Sequence, residues 1–319
     1  MIKRIAILTS GGDAPGMNAC VRAVIRSAIA NGIEPYVVFE GYKGLVENKF
    51  KKVNKSFTQD IINRGGTILK SSRLPEFCNV EIQRKAIENL KDRNIDALVG
   101  IGGDGTYRGL LALSNLGFPV IGIPGTIDND VASTDKTIGF DTALNTICDC
   151  VDKIKDTSSS HQRCSVIEVM GRHCGDLAIF SGIAEAAELT ITYDHKIDDE
   201  IVFAKLREMH DTDKSHAIVI VSENLIDTED FAKRIEKATG FETRTEILGR
   251  LQRGGCPTAE DRILASRFGA AAIELLHNNI HGRVVGIKRN NIIDLPIQQA
   301  LEMERDIHKP LLHLIDLLA

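Results

Sequence analysis

The chain lacks a basic excess. Lys and Arg number 39 against 44 Asp and Glu, a net charge of −5 over 319 residues. That argues against an ordinary nucleic-acid binder, which presents a basic face, although a phosphorylated small molecule needs only a local cluster of Arg. The chain lacks any run near the ~20 apolar residues of a membrane helix. Its first residues form a strand pattern at once, not the longer apolar stretch of a signal peptide. A cytoplasmic protein with neither membrane nor nucleic acid as partner is expected. The seven Cys (20, 78, 148, 150, 164, 174 and 256) form no CxxC pair. The spacing of Cys148 and Cys150 suits no common zinc pattern, so buried free thiols are expected. No Pro- or Ser-rich linker and no low-complexity segment interrupts the chain, which points to two lobes sharing one chain.

What is present is a soluble-protein composition, 43% hydrophobic and 26% charged, able to form a sizeable core. Strand and helix patterns alternate. RIAILTS (4–10) reads as a buried strand, 17–30 as a helix with Pro15 and Gly16 at its mouth, and 34–41 as a strand. Residues 79–93 read as helix. Beyond the site strands come helix 145–157, strand 164–170, helix 175–187, helix 199–210, strand 216–223 and strand 244–249. Thr258 is placed to cap a helix running to about Leu276, with Asp261 at the capping-box position. This alternation predicts an α/β fold with parallel sheets covered by helices.

Two loops carry the chemistry. GIGGDGTYRG (100–109) follows the apolar run Ala97–Ile101, and PGTIDND (124–130) follows Phe118–Ile123. Strand, loop, helix, strand, loop puts both on one rim of a parallel sheet, where α/β proteins bind ligands. Gly102, Gly103 and Gly105 remove side chains that would block a polyphosphate, and Asp104 can reach a magnesium ion held by it. Asp128 and Asp130 offer one carboxylate to take a proton and one to face a metal. Together the loops read as a phosphoryl-transfer site. An Asp between glycines also serves as an ordinary turn residue, and an acidic loop as a solvated turn. TSGGDAPGMN (9–18) likewise joins strand to helix, and is neither a dinucleotide fingerprint nor a P-loop. The tripeptide GGD occurs in both glycine loops, a weak hint of a reused unit. Arg163, Arg172, Arg244, Arg250 and Arg253 all fall at strand ends and suggest a phosphate-binding cluster. His161 and His173 lack a carboxylate pattern and read as structural.

Taken together, TSGGDAPGMN, GGDGT, PGTIDND, DTSSSHQR (156–163), EVMGR (168–172) and LQRGG (251–255) resemble the bacterial ATP-dependent 6-phosphofructokinase family over the whole chain. The resemblance implies two Rossmann-like lobes, with the C-terminal part crossing between them. Residues 1–138 and 251–300 would form an ATP-binding large lobe, and 139–250 with 301–319 a sugar-phosphate lobe. It implies a homotetramer that phosphorylates fructose 6-phosphate at the 1-hydroxyl with Mg-ATP, the committed step of glycolysis. Asp128 would be the base, flanked by Thr126 and Arg172 at the transferring phosphoryl group. Gly12, Arg73, Leu74 and Gly103, Asp104, Gly105 and Thr106 would bind ATP, and Asp104 with Asp130 would hold magnesium. Thr126, Ile127, Met170, Gly171, Glu223, Arg250, Leu251, Gln252 and Arg253 would bind the sugar phosphate, with Arg163 and Arg244 reaching it from a neighbouring subunit. ADP or phosphoenolpyruvate would act as effectors at Arg22, Arg26, Asp60, Lys155, Glu188, Lys214 and His216.

The chain departs from the family pattern at Arg250, where His is usual, and at Leu74 and Cys78 on the nucleotide side. In the effector site, Lys155 replaces Arg, and Thr212 and Ser215 stand where basic residues are usual. A weak response to effectors is therefore expected. Pyrophosphate-dependent members carry Asp at position 105 and Lys at 125. Gly at both positions leaves room for a nucleotide. The rival readings are a pyrophosphate-dependent enzyme, another kinase carrying GGDGT, and a non-catalytic phosphosugar or nucleotide sensor.

Overall fold

The computed structural model describes residues 2–212, 214 and 216–318, so Ser215 lies outside the described residues. β1 (Arg4–Thr9), buried from Ile5 onward, leads to α1 (Met17–Ala30), β2 (Glu34–Val38), the short α2 (Gly41–Val46) and β3 (Phe50–Lys52). Two 3-10 turns (Lys55–Thr58 and Pro75–Cys78) precede α3 (Val80–Lys91), β4 (Ala97–Gly102), α4 (Asp104–Asn115) and β5 (Val120–Pro124). Next come α5 (Phe140–His161), β6 (Cys164–Val169), α6 (Asp176–Ala184), β7 (Leu189–Ile191), α7 (Asp199–Asp211), β8 (Ala217–Ser222), α8 (Thr228–Thr239) and β9 (Thr243–Ile247). A third 3-10 turn (Gly249–Arg253), α9 (Ala259–His277), β10 (Arg283–Lys288), β11 (Asn291–Pro296), α10 (Ile297–Glu302) and α11 (Lys309–Leu318) complete the chain.

Residues divide into two units. The first holds the chain through Ile127, Val131–Thr142 and Arg253–Arg305. The second holds Asp128–Asp130, Ala143–Gln252 and the chain from Asp306 on. The first unit has a seven-stranded sheet in the order β11-β10-β5-β4-β1-β2-β3. Its inner five strands are parallel, as the alternation predicts, and β3 and β11 add antiparallel edges that the alternation does not show. Antiparallel neighbours need no crossover, so between β10 and β11 a short turn suffices. Lys288 and Asn291 are joined through Arg289 and Asn290, both in the left-handed region that such a tight hairpin requires. The second unit has a four-stranded, all-parallel sheet in the order β7-β8-β6-β9.

Each sheet has its own core. In the first unit Leu8, Leu98, Tyr107, Leu110 and Val120 are all fully buried, and Tyr42 stacks on Phe77 with centroids 4.3 Å apart. In the second, Val166, Val219, Val202, Phe231 and Phe241 pack sheet against helices. Three of the seven cysteines are buried (20, 164 and 174), whereas Cys78 and Cys256 are exposed, so the expectation of buried thiols holds only in part. No helix among the described residues is long and apolar enough to cross a membrane.

Thr258 caps α9 as expected, accepting the Asp261 N–H at 3.3 Å. The capping box does not close. The Asp261 carboxylate instead accepts from the Gly139 and Thr142 amides (2.7 and 2.8 Å) and from Thr142 Oγ1 (2.5 Å). The Thr258 N–H donates to Thr142 Oγ1 at 3.0 Å, and Thr258 Oγ1 contacts Asp141 at 2.6 Å. These contacts hold the first turn of α5, which starts at Phe140 and not at 145. Burial pushes the Asp261 carboxyl up to about 6.

Candidate active site

In the first unit, β1 and β4 are neighbours, in register from Ile5 opposite Ala97 to Thr9 opposite Ile101. The chain runs from β1 outward to β2 on one side and from β4 outward to β5 on the other. The carboxyl ends of β1 and β4 are therefore the topological switch point of this sheet. Both glycine loops leave the sheet there.

Their backbones differ. A Cβ on Gly102 would lie 2.2 Å from Thr106 Oγ1 and 2.3 Å from Ser10 O, so only glycine fits between the loops. Thr106 Oγ1 donates to Ser10 O at 3.2 Å, and Tyr42 Oη donates to Thr106 O at 2.6 Å, which holds the first turn of α4 against β1. Asp104 is the first residue of α4, and a Cβ at Gly105 would meet nothing within 4 Å. This is an open helix N-terminus with its amides directed outward, suited to an anion. At the other loop Gly11 is left-handed (φ 86°), and its carbonyl accepts from Ser71 Oγ at 2.7 Å. A Cβ on Gly12 would lie 2.5 Å from the Arg253 guanidinium, which donates to Asp13 O at 3.3 Å. Arg73 is exposed and Leu74 half-buried against the core of this unit. At the end of β5, Thr126 and Ile127 are buried, and Thr137 Oγ1 donates to Thr126 O at 2.7 Å.

In the second unit, β6 ends at Val169 opposite Ser222 of β8, and Glu168 lies opposite Ile247 of β9. Three loops thus leave the same rim: Met170–Arg172, Glu223, and the residues after β9. They are tied by side-chain to backbone bonds. The Met170 N–H donates to Gln252 Oε1 at 3.0 Å, with Gln252 fully buried. The Arg172 N–H donates to Glu223 Oε1 at 2.8 Å, and Tyr193 Oη donates to Glu223 O at 2.9 Å. Arg172 is exposed with a left-handed φ of 59°, and Gly171 at φ 136° has no room for a side chain, since Cys174 O lies 2.4 Å from its Cβ position. Left-handed backbone at a non-glycine residue is costly and persists where neighbours enforce it.

Asp128 is buried and Asp130 half-buried, and both cluster with the second unit although the chain on either side belongs to the first. Arg163 and Arg244 come together by sharing one partner. Arg163 Nη2 lies 2.9 Å from Glu242, Arg244 pairs with the same oxygen, and the arginines hold the Glu242 carboxyl below its usual range, Arg163 foremost. Arg250 and Leu251 are exposed. Arg253 belongs to the first unit, so the strand-end arginines are divided between the two units. His173 packs edge-on against Tyr193, with centroids 5.6 Å apart.

Of the effector candidates, Arg22 and Arg26 line a cavity of about 510 Å³ in the first unit with Thr58, Gln59, Asp60 and Arg262. Arg26 Nε donates to Thr58 Oγ1 at 2.9 Å. In the second unit Lys155 pairs with Glu185 (2.7 Å) and Lys214 with Glu188 (2.5 Å), while His216 is half-buried.

Sequence reasoning missed Asn129, Asp176 and the tethering roles of Glu223 and Gln252. A polar side chain that bonds backbone from a distant loop leaves no periodic signal in sequence.

The phosphofructokinase family model matches residues 4–276. The chain is 53% identical over 317 residues to the ATP-dependent 6-phosphofructokinase of Photobacterium profundum, covering 99% of each. Phosphofructokinase from Saccharomyces cerevisiae superposes with a TM-score of 0.87 at 34% identity over 94% of this chain, which spans 45% of that longer one. The pyrophosphate-dependent phosphofructokinase of Marinobacter aquaeolei matches with a TM-score of 0.87 over 96% of this chain and 86% of its own, but at 21% identity it shares the fold alone. Near-complete coverage at half identity, on a fold whose switch point carries both glycine loops, leaves one conclusion: the chain belongs to the phosphofructokinase family.

Proposed function

We propose that the chain transfers the γ-phosphoryl group of Mg-ATP to the 1-hydroxyl of fructose 6-phosphate, giving fructose 1,6-bisphosphate and ADP. The observation that carries this reading is the 53% identity over 317 residues to an ATP-dependent 6-phosphofructokinase. The open space at Gly105 favours a nucleotide over pyrophosphate, because an Asp there would fill and repel the α-phosphate.

The loop Gly103–Thr106 and Gly12 take the nucleotide phosphates on backbone amides, with Arg73 and Leu74 beside them. A lone carboxylate in the first turn of α4 suits magnesium, which keeps its waters and phosphate ligands and takes only one or two protein carboxylates. Asp104, aided by Asp130, would hold it. Bound magnesium neutralises charge on the phosphates. Asp128 takes the proton from the sugar 1-hydroxyl as that oxygen attacks phosphorus. Arg172, with Thr126, stabilises the transferring group. Met170, Gly171, Glu223 and residues 250–253 orient the sugar. We assign the effector role to Arg22, Arg26, Lys155, Glu188, Lys214 and His216.

The working form is a cytoplasmic homotetramer in which Arg163 and Arg244 reach the sugar phosphate of a neighbouring protomer. Each such charge-assisted contact contributes about 1.5–3 kcal/mol. A coupled assay for fructose 1,6-bisphosphate, run with ATP and with pyrophosphate, tests the reaction. Faster turnover with pyrophosphate overturns the donor, and no product with either donor makes the chain a sensor. Analytical ultracentrifugation with activity measured on each species tests assembly, and a fully active monomer refutes it.

A further inference from the structure

Asn129 stands between the two carboxylates of the base loop. Its φ of 52° is left-handed, a conformation that Asn tolerates better than most residues. Its Nδ2 donates to Asp176 Oδ2 at 2.8 Å, and Cys174 Sγ approaches its carbonyl at 3.9 Å. Asp176 is the first residue of α6 and is 1% exposed. A carboxylate in a helix's first turn is ordinary by itself. A fully buried one is not, because burial of an Asp is rare unless it is paired. His308, in the segment that returns to the second unit at Asp306, brings Nε2 to 3.4 Å of the same Asp176 oxygen, with its ring edge-on to Phe180 at 5.7 Å.

These contacts all lie within the second unit, to which Asp128–Asp130 belong while Ile127 and Val131 do not. The clip also lies in the turn that presents Arg172, since the Cys174 N–H donates to Gly171 O at 2.8 Å just before α6. We propose that Asp176 is a positioning residue for phosphoryl transfer. Through its hydrogen bond to the Asn129 amide, it sets the backbone of residue 129 and with it the aim of the Asp128 carboxylate. The proposal rests on Asp128 being the base. A base must sit within hydrogen-bond reach of its proton, and an error near 1 Å costs about 100-fold in rate.

The test is steady-state kinetics on the full chain with Asp176→Ala, Asp176→Asn and Asn129→Gly, beside Asp128→Ser as reference. Asp176→Ala is expected to lower kcat roughly 10- to 100-fold with the KM of both substrates within about threefold of native. Asp176→Asn keeps an oxygen that accepts from Asn129, and should recover most of kcat. Asn129→Gly preserves the left-handed backbone while removing the amide. It should reproduce the kcat loss, and it decides the matter if Asp176→Ala does not fold. Native kcat in Asn129→Gly, failure of Asp176→Asn to rescue, or a loss confined to KM overturns the proposal. Turnover surviving in Asp128→Ser instead overturns the assignment of the base, a separate failure.

Discussion

The two units shape the loops at their sheet rims from different materials. In the first, the glycine loops are shaped by backbone: Gly102 wedged between Thr106 and Ser10, Gly105 open, Gly12 beneath Arg253. In the second, the loops are ordinary chain held in shape by distant side chains: Gln252 on Met170, Glu223 on Arg172, Asp176 on Asn129. A backbone site tolerates no added atom where the loops touch, as at Gly102, and has room only where it is open, as at Gly105. A side-chain site tolerates substitution wherever the hydrogen bond survives, and fails where it is lost.

The largest expected effect lies in the second unit. Asp128→Ser should cut turnover by roughly 10²–10⁴-fold, the usual contribution of general base catalysis, while fructose 6-phosphate still binds. Rate measurements together with ligand-protected thermal melts check both halves, and turnover near native contradicts the role.

A side-chain site inside the first unit sharpens the contrast next. The Asp261 carboxyl sits at about 6 in the folded chain, raised from 3.8 by burial. A raised acid binds protons more tightly when folded, so its contribution is fully present below about 4 and is lost as pH rises through about 6. Replacing Asp261 by Asn removes this dependence. The stability of native protein relative to Asp261→Asn should therefore fall by up to roughly 3 kcal/mol between pH 4 and 6.5. Urea unfolding at several pH values reads this directly, and parallel curves for the two proteins contradict it.

Two glycines test the backbone site. Gly102→Ala forces a Cβ against Ser10 O, and overpacking of this kind costs about 1–3 kcal/mol, visible in melting temperature. Gly105→Ala meets nothing and should be silent in the same measurement. Gly105→Asp should keep stability but raise the KM for ATP about fivefold or more through repulsion of ~1 kcal/mol or above. Equal effects on stability at 102 and 105 would remove the distinction between a packed and an open glycine.

The smallest effect concerns regulation. Lys155 and Lys214 are already engaged by Glu185 and Glu188, and Thr212 supplies no charge. An effector shifts an equilibrium only by its difference in affinity between states. Millimolar phosphoenolpyruvate or ADP should therefore move the half-saturating fructose 6-phosphate concentration by less than about twofold. A large rightward shift with phosphoenolpyruvate, reversed by ADP, means the anion site is intact.

Local rules reached a good part of this molecule. β1, α1, β4 and β5 stand where hydrophobic period and loop glycines place them, because each is long or fully buried and its pattern is strong. The short β3 and β7 escaped, having three residues each and no period to read. The β10–β11 hairpin and the antiparallel edges also escaped, as did the true start of α5 at Phe140. That start depends on Asp261 and Thr258, more than 110 residues away.

The sequence by itself determined the α/β alternation, the two glycine loops and the carboxylates that follow β5. Each of these is a property of neighbouring residues: apolar runs, missing side chains, charge beside a strand end. Only the tertiary structure decided that β1 and β4 lie side by side with both glycine loops at the switch point. It alone divided the strand-end arginines between two units, turned Asp261 from a capping partner into a clasp on residues 139–142, and fastened Asn129 to Asp176. Those outcomes depend on which buried donor finds which acceptor once the sheets are packed. The free-energy cost of an unmade buried hydrogen bond selects among partners that no local pattern distinguishes.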